Sequence, residues 1–363
     1  MRVERVVMPT TETVSWTVVD DEGLPLASAE AFLAHLTALE RSPETIRAHA
    51  VSLKLWFEFL AQTQLSWDEA SPEDLSRFVA ALRSPAENVV VLDGGTARRA
   101  PATVNRYLAG VFAFYDHQAR CGVDVAEGLV AWRRVQRGSY RPFLHHVTAG
   151  RPVLTRPVKL RVPRRAPRAL QAKQVAVIID ACDRLRDRFL LTLLAETGLR
   201  AGQALGLRHG DFVSRDKELR IVPRDDNANG ARAKCRETAV IPITASLVRL
   251  YSEYMHTEYG DLDSDYVFVN LWSEPVGAPM RYDALRKLIA RLRARTGIEF
   301  TAHMFRHTHA TELLRAGVPI EVVAKLLTHR SAVTTSQTYI HLTPEDLRAE
   351  LARAGFGRIE AAP

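Results

Sequence analysis

Apolar residues recur at helical spacing through most of this chain, and strand-like alternation is confined to short stretches. Residues 1–26 alternate at Val14, Trp16 and Val18 and end at Gly23 and Pro25, which predicts a short strand or arm. Beyond it, Ser42-Pro43-Glu44 places an N-cap residue before a proline at the first helical position. The stripe Ile46, Ala50, Leu53, Phe57 and Leu60 then steps by four and three. Ser71-Pro72-Glu73-Asp74 repeats that start signal ahead of Leu75, Phe78, Val79 and Leu82. After a loop containing Gly94 and Gly95, Pro101 opens a further helix with Val104, Leu108, Val111, Phe112 and Tyr115 on one side. Residues 27–130 therefore read as a small helical bundle.

The second half repeats the helical pattern around one small sheet. Ile178, Ile179, Leu185, Phe189, Leu190, Leu193 and Leu194 predict a helix from about Lys173 to Thr197 that stops at Gly198. Two β runs follow, Leu219–Val222 and Thr238–Ile243. The turn-rich Asp225-Asp-Asn-Ala-Asn-Gly230 between them predicts a hairpin with a long tip. From Tyr282 onward the pattern is helical again, interrupted at Gly297 and at Gly317 with Pro319 beyond it. The fold class read from these patterns is mainly α with a small β-hairpin or sheet.

Length and charge sharpen this outline. A chain of 363 residues accommodates two domains, since single cores rarely grow much beyond ~250 residues. With 47% hydrophobic and 25% charged residues it has the composition of an ordinary globular protein. The net charge is +7, yet residues 131–168 hold eleven Lys and Arg with no Asp or Glu, so the remainder of the chain is net acidic. Five prolines in that band disfavour a continuous helix. A basic, proline-containing linker that tracks a polyanion such as nucleic acid fits this composition, with Arg133, Arg134, Arg137, Arg141, Arg161, Arg164 and Arg165 as candidate nucleic-acid contacts. The expected organisation is an arm (1–26), a helical bundle (27–130), the basic linker (131–168) and a second domain (169–363).

Cys121, Cys182 and Cys235 lie far apart and suit neither a disulfide framework nor a metal quartet, which points to a reducing compartment. The first residues lack the long apolar core of a signal peptide. No run approaches ~18 apolar residues, so a cytoplasmic protein without membrane contact is expected.

The candidate chemistry gathers in the second domain. Breaking a phosphodiester without a metal requires fixed cations for the charge that builds on the non-bridging oxygens, and a proton for the leaving alkoxide. Arginine suits the first task through its planar, paired donors and a charge that persists on burial. Arg200 and Arg306 are the candidates for that clamp, and His303, three residues before Arg306, shares its helical face. His329 offers a further donor, and Tyr339 a nucleophile once its phenol, with an ordinary pKa near ~10, is stabilised by cations or deprotonated by His303. Lys234 is the only lysine between Lys217 and Lys287 and is the candidate general acid on the hairpin.

Taken together these residues resemble the tyrosine recombinase, or phage integrase, family. Thr197-Gly-Leu-Arg200 looks like its first arginine box and Leu205-Gly-Leu-Arg-His-Gly-Asp211 like the continuation. His303-Met-Phe-Arg306-His-Thr-His-Ala-Thr311 looks like the second box. Leu326-Leu-Thr-His329 with Thr334-Thr335 and Tyr339-Ile-His341 looks like the third. The resemblance covers the whole second domain, and the bundle opening at Ser42 is similar to the family's SAM-like core-binding domain. It implies an integrase-type catalytic domain that joins Tyr339 to a DNA 3′-phosphate, releases a 5′-hydroxyl and religates without ATP or another cofactor. It also implies duplex DNA as partner and a homo-tetramer on two DNA sites, with the free protein monomeric or dimeric. An accessory recombinase or directionality factor stays open, as does the choice among integration, excision and transposition. The tip from Asp225 to Lys234 and the arm before residue 27 look like those of transposon-encoded members.

This chain departs from the family pattern at four places. Gln203 stands where Glu is common, Thr328 replaces a frequent Gly, His309 takes a place often aromatic, and the interval from His329 to Tyr339 is one residue longer than in many members. Two alternatives keep the same residues, a monomeric type IB topoisomerase-like enzyme and a DNA-binding protein with degenerate catalysis. Strand exchange separates the first and covalent adduct formation the second. A metal reading of His303, His307 and His309 is disfavoured because no Glu sits between the paired histidines and no carboxylate cluster accompanies them. His307 and His341 are expected to support or pack.

Overall fold

The computed structural model describes residues 1–7, 14–84, 99–130, 132–134, 152–154, 158–162, 168–233 and 237–328, with backbone alone for 132–134 and 152–154. The chain divides into two units, Met1–Arg164 and Arg165–Pro363.

In the first unit β1 (Arg2–Val7) and β2 (Val14–Val19) pair antiparallel, with Arg2 opposite Val19 and Val7 opposite Val14. This hairpin is part of the core: Val18 is buried, and Met1, Val3 and Trp16 pack on the helices. The helices are α1 (Ala27–Ala38), α2 (Pro43–Gln62), α3 (Pro72–Arg83) and α4 (Pro101–Arg120). Two of them begin as their sequences direct. The Ser42 hydroxyl accepts from the Thr45 N–H at 3.2 Å, and Ser71 and Asp74 cap α3 reciprocally. No side chain caps α1, which is why no start signal marks it in the sequence. At the centre Trp56 Nε1 donates to the Tyr115 hydroxyl at 3.1 Å, and that hydroxyl donates to the Trp67 carbonyl at 2.7 Å. One phenol thus joins α2, α4 and the loop after α2.

The basic band contains a feature its composition did not announce. β3 (Trp132–Arg134) and β4 (Pro152–Leu154) form an antiparallel pair, so Arg133 and Arg134 lie on a strand, opposite Val153 and Pro152. Further along, Asn105 on α4 donates to the Leu160 carbonyl and accepts from its N–H, both at 2.8 Å. Val158 and Leu160 pack on the bundle while Lys159 and Arg161 are exposed. Arg137, Arg141, Arg164 and Arg165 lie outside the described residues.

The second unit is built around a buried helix. The expected single helix from Lys173 to Thr197 is instead two, α5 (Ala172–Asp180) and α6 (Leu185–Thr197). The break has a long-range cause. The Glu258 carboxylate accepts the N–H groups of Leu185 and Arg186, each at 2.9 Å, and so caps α6 from 73 residues away. Phe189, Leu190, Leu191, Leu193 and Leu194 are all buried, as suits a helix that is apolar around much of its circumference. The short α7 (Ala201–Leu205) follows, and then a three-stranded antiparallel sheet of β5 (Phe212–Val213), β6 (Glu218–Ile221) and β7 (Ala239–Pro242). Leu219 faces Ile241 and both are buried, whereas Arg220 and Val240, also opposite one another, are exposed. The two β runs therefore pair as their spacing predicts, with a third strand added.

The remaining helices are α8 (Ala245–Tyr254), α9 (Tyr282–Thr296), α10 (Ala302–Arg315) and α11 (Ile320–Leu326). Gly297 ends α9 with φ +68° and Gly317 follows α10 with φ +82°, the left-handed conformations that place glycine after a helix. Among the described residues no helix is long and apolar enough to cross a membrane.

Candidate active site

Three of the six expected catalytic side chains, Arg200, His303 and Arg306, fall within the described residues. Lys234, His329 and Tyr339 lie outside them. The three described ones come together where α6 ends, α10 begins and α11 ends.

Arg200 occupies the N-cap position of α7, two residues beyond Gly198. Gly198 closes α6 with φ +63°, and a Cβ there would sit 2.8 Å from both His309 Cδ2 and Leu327 Cδ2. Only glycine satisfies both the conformation and the packing. The Arg200 backbone N–H donates to Gln203 Oε1 at 2.9 Å, and its guanidinium Nη1 donates to Thr328 Oγ1 at 3.3 Å. Gln203, itself buried, donates through Nε2 to the same hydroxyl at 2.8 Å.

Arg306 projects from the first half of α10 into the interior, where only 1% of its surface is exposed. Its Nη1 donates to the Gly198 carbonyl at 2.8 Å and its Nη2 to the Leu327 carbonyl. The guanidinium therefore joins the turn that presents Arg200 to the helix end that leads toward His329. The sequence suggested a phosphate clamp; the structure adds a backbone staple.

His303 lies one turn earlier on α10 and is exposed. Partial burial of its ring, then the charges of Arg306 and Arg200, hold its pKa below the usual histidine value. Both arginines are therefore close enough to act on this imidazole. His307 packs edge-on against it, with ring centroids 4.4 Å apart, and burial followed by His303 and Arg306 pushes its pKa down to about 4. Burial also lowers His309. The face is thus cationic through its arginines while its histidines favour the neutral form. Among the described residues no three His, Cys, Asp or Glu side chains are grouped to hold a metal ion.

The segment approaching Lys234 is anchored beside this site. Arg224 and Asp211 form a two-pronged ion pair at 2.6 and 2.7 Å. Asn229 Nδ2 donates to the carbonyls of Leu205 and Met280, each at 2.9 Å. Ala233 is buried, and the Arg232 carbonyl lies so near Gly202 that a Cβ on that glycine would meet it at 2.6 Å. The residues just before Lys234 consequently rest on α7, the helix that Arg200 begins. The tip expected from its turn-rich composition is docked up to that point.

Comparison with known proteins shows the family. Residues 168–346 match the model of the phage integrase family, and residues 29–120 match that of the phage integrase N-terminal SAM-like domain. The chain is 37% identical over 352 residues to Transposase A from transposon Tn554 of Staphylococcus aureus, covering 96% of this chain and 97% of the relative. The chain belongs to the phage integrase family of tyrosine recombinases. This recombinase is also 26% identical to the tyrosine recombinase XerA of Saccharolobus solfataricus, over 92% of this chain and 96% of that one.

Solved structures share the fold. The Tn1549 transposon integrase in complex with transposon right end DNA has a TM-score of 0.60 at 15% identity, covering 90% of this chain and 99% of that chain. The XerH site-specific recombinase bound to palindromic difH substrate has a TM-score of 0.60 at 18% identity, covering 86% and 80%. As a tyrosine recombinase, the chain is a DNA strand transferase with an N-terminal SAM-like and a C-terminal integrase-type domain. Gln203 and Thr328 entered the sequence reading only as departures from the family pattern. Their contact with Arg200 is new, and the sole signal for it in the sequence was that both positions are unusual.

Proposed function

We propose that this recombinase cuts and rejoins duplex DNA at specific sites through a covalent 3′-phosphotyrosine at Tyr339, in the integration, excision or transposition of a mobile element. The observation that carries this reading is that Arg306, one turn after His303 on α10, is tied to the turn before Arg200 and to Leu327, two residues before His329. The 37% identity to a transposase over nearly the whole chain supports the mobile-element role.

In the forward step the Tyr339 oxygen attacks phosphorus while the bond from phosphorus to the 5′ oxygen breaks. His303, held neutral by its surroundings, takes the phenol proton. Arg200 and Arg306 stabilise the negative charge on the non-bridging oxygens, with His329 as a further donor. Lys234 gives a proton to the departing 5′ oxygen, leaving a 5′-hydroxyl. Attack by the 5′-hydroxyl of another strand reverses these transfers and frees Tyr339, and the phosphodiester energy is conserved throughout. The basic band, with Arg133, Arg134, Arg137, Arg141, Arg161, Arg164 and Arg165, follows the DNA backbone, so affinity falls steeply as salt rises. Four copies on two DNA sites, acting in the cytoplasm, complete the exchange.

The test uses nicked duplexes tiled across the DNA that flanks the coding sequence. Wild type traps a protein–DNA adduct on at least one of them, while Tyr339→Phe binds that duplex with unchanged affinity and traps none. An adduct formed by the Phe variant would assign the nucleophile to another residue.

A further inference from the structure

Thr328 is a threonine in a conformation that favours glycine. Its φ is +53°, and a β-branched residue is rarely found there. The strain sits next to His329, and the side chain that causes it is engaged. Gln203 Oε1 accepts from the Arg200 backbone N–H at 2.9 Å, which fixes the orientation of the amide and turns Nε2 toward Thr328. The Thr328 hydroxyl then accepts from Gln203 Nε2 at 2.8 Å and from Arg200 Nη1 at 3.3 Å. Two donors occupy both lone pairs of one oxygen. Glycine would relieve the backbone and provide no acceptor for either donor.

We propose that Thr328 and Gln203 act as a coupled positioning pair, which aims the Arg200 guanidinium and links its orientation to the end of α11. The pair is electrically neutral. Leucine at 203 would provide neither the acceptor for the Arg200 N–H nor the donor to Thr328. Residues 125 positions apart are thereby matched to one another: an amide that must donate, and a hydroxyl that can accept from it and from Arg200 together.

This inference rests on the reading that Arg200 acts on the scissile phosphate. Its test measures thermal midpoint, DNA affinity and single-turnover adduct formation for the full-length chain on the nicked duplex that wild type cleaves. Thr328→Gly keeps or raises the thermal midpoint, binds DNA within about twofold of wild type, and forms adduct about tenfold more slowly. Thr328→Ser restores most of that lost rate. Gln203→Leu slows adduct formation in the same way, and its combination with Thr328→Gly is no slower than the worse single variant, because the two remove one interaction.

Wild-type cleavage rates in Thr328→Gly, a Ser variant as slow as the Gly variant, or additive losses in the double variant would each overturn the pair. If the single variants destabilise the protein, the double-variant comparison still decides. Adduct formation by Tyr339→Phe refutes the nucleophile without touching the pair, because the rates report the Arg200 environment whichever residue attacks. Failure of wild type to form adduct on any duplex overturns both.

Discussion

Arg306 Nη1 lies 2.8 Å from the Gly198 carbonyl oxygen, across 108 residues of sequence, while its Nη2 holds the Leu327 carbonyl. A side chain expected to serve DNA is thus also a part of the protein's framework. Burying a guanidinium is costly unless its donors are satisfied, and here two backbone carbonyls satisfy donors, one in the turn after α6 and one at the end of α11. In the proposed mechanism, folding and catalysis share the residue.

Arg306→Lys is therefore not a conservative change. An ammonium is a compact point charge, whereas two carbonyls in different segments require a planar fork. The variant is expected to lose adduct formation on the cleavable nicked duplex and to lower the free energy of unfolding by about 3 kcal/mol, the scale of disrupted charged hydrogen bonds in a buried site. Urea denaturation measures the second effect. Wild-type stability in the Lys variant would show that the two carbonyls do not depend on the fork.

Gly198→Ala tests the other end of that bond. The left-handed conformation costs an alanine roughly 1–2 kcal/mol, and the new Cβ would stand 2.8 Å from His309 and Leu327. We expect a fall in thermal midpoint accompanied by slower cleavage, because the same shift displaces Arg200. A variant that melts lower yet cleaves at the wild-type rate would separate the turn from the site.

Much of this was legible in local sequence, and the remainder was set at a distance. Ser42 and Ser71 announce their helices and Gly297 its helix end, because caps and left-handed terminators act within one turn. The interruption at Cys182–Arg184 is invisible in the hydrophobic stripe, since the carboxylate of Glu258 far along the chain makes it. The same division runs through the site. Residue types and order pointed to Arg200, His303 and Arg306. Periodicity could not show that Arg306 is buried, nor that Gln203 and Thr328 meet across 125 residues.

The docked approach to Lys234 gives a prediction about proton transfer. With Ala233 buried and the Arg232 carbonyl against Gly202, the lysine follows directly from a fixed anchor beside α7. Lys234→Ala is expected to slow cleavage on an ordinary nicked duplex by about a hundredfold, the lower range for loss of a general acid. It should recover most of that loss when the leaving oxygen is replaced by sulfur, because a thiolate departs without a proton. Equal slowing on both substrates would remove Lys234 from that role.

The histidines of α10 contribute to the pH response, alongside His49, His117 and His209, whose pKa values burial also lowers. His303, His307 and His309 all have folded pKa values below the ordinary ~6.5 of an unfolded histidine, with burial the first cause in each case and His307 pushed down to about 4. Between those values the unfolded chain binds more protons than the folded one, so stability decreases as pH falls from about 6.5 toward 4 and is insensitive to these groups above pH 7. His307→Gln removes one such proton and should flatten the decline in thermal midpoint over that window. Catalysis follows the same sign through a different residue: a His303 that must be neutral to accept the phenol proton keeps working below pH 6.5, until the pH reaches its lowered pKa. A pH profile of single-turnover cleavage checks this, and an acid limb with its inflection at or above 6.5 would contradict the arginine-flanked setting of His303.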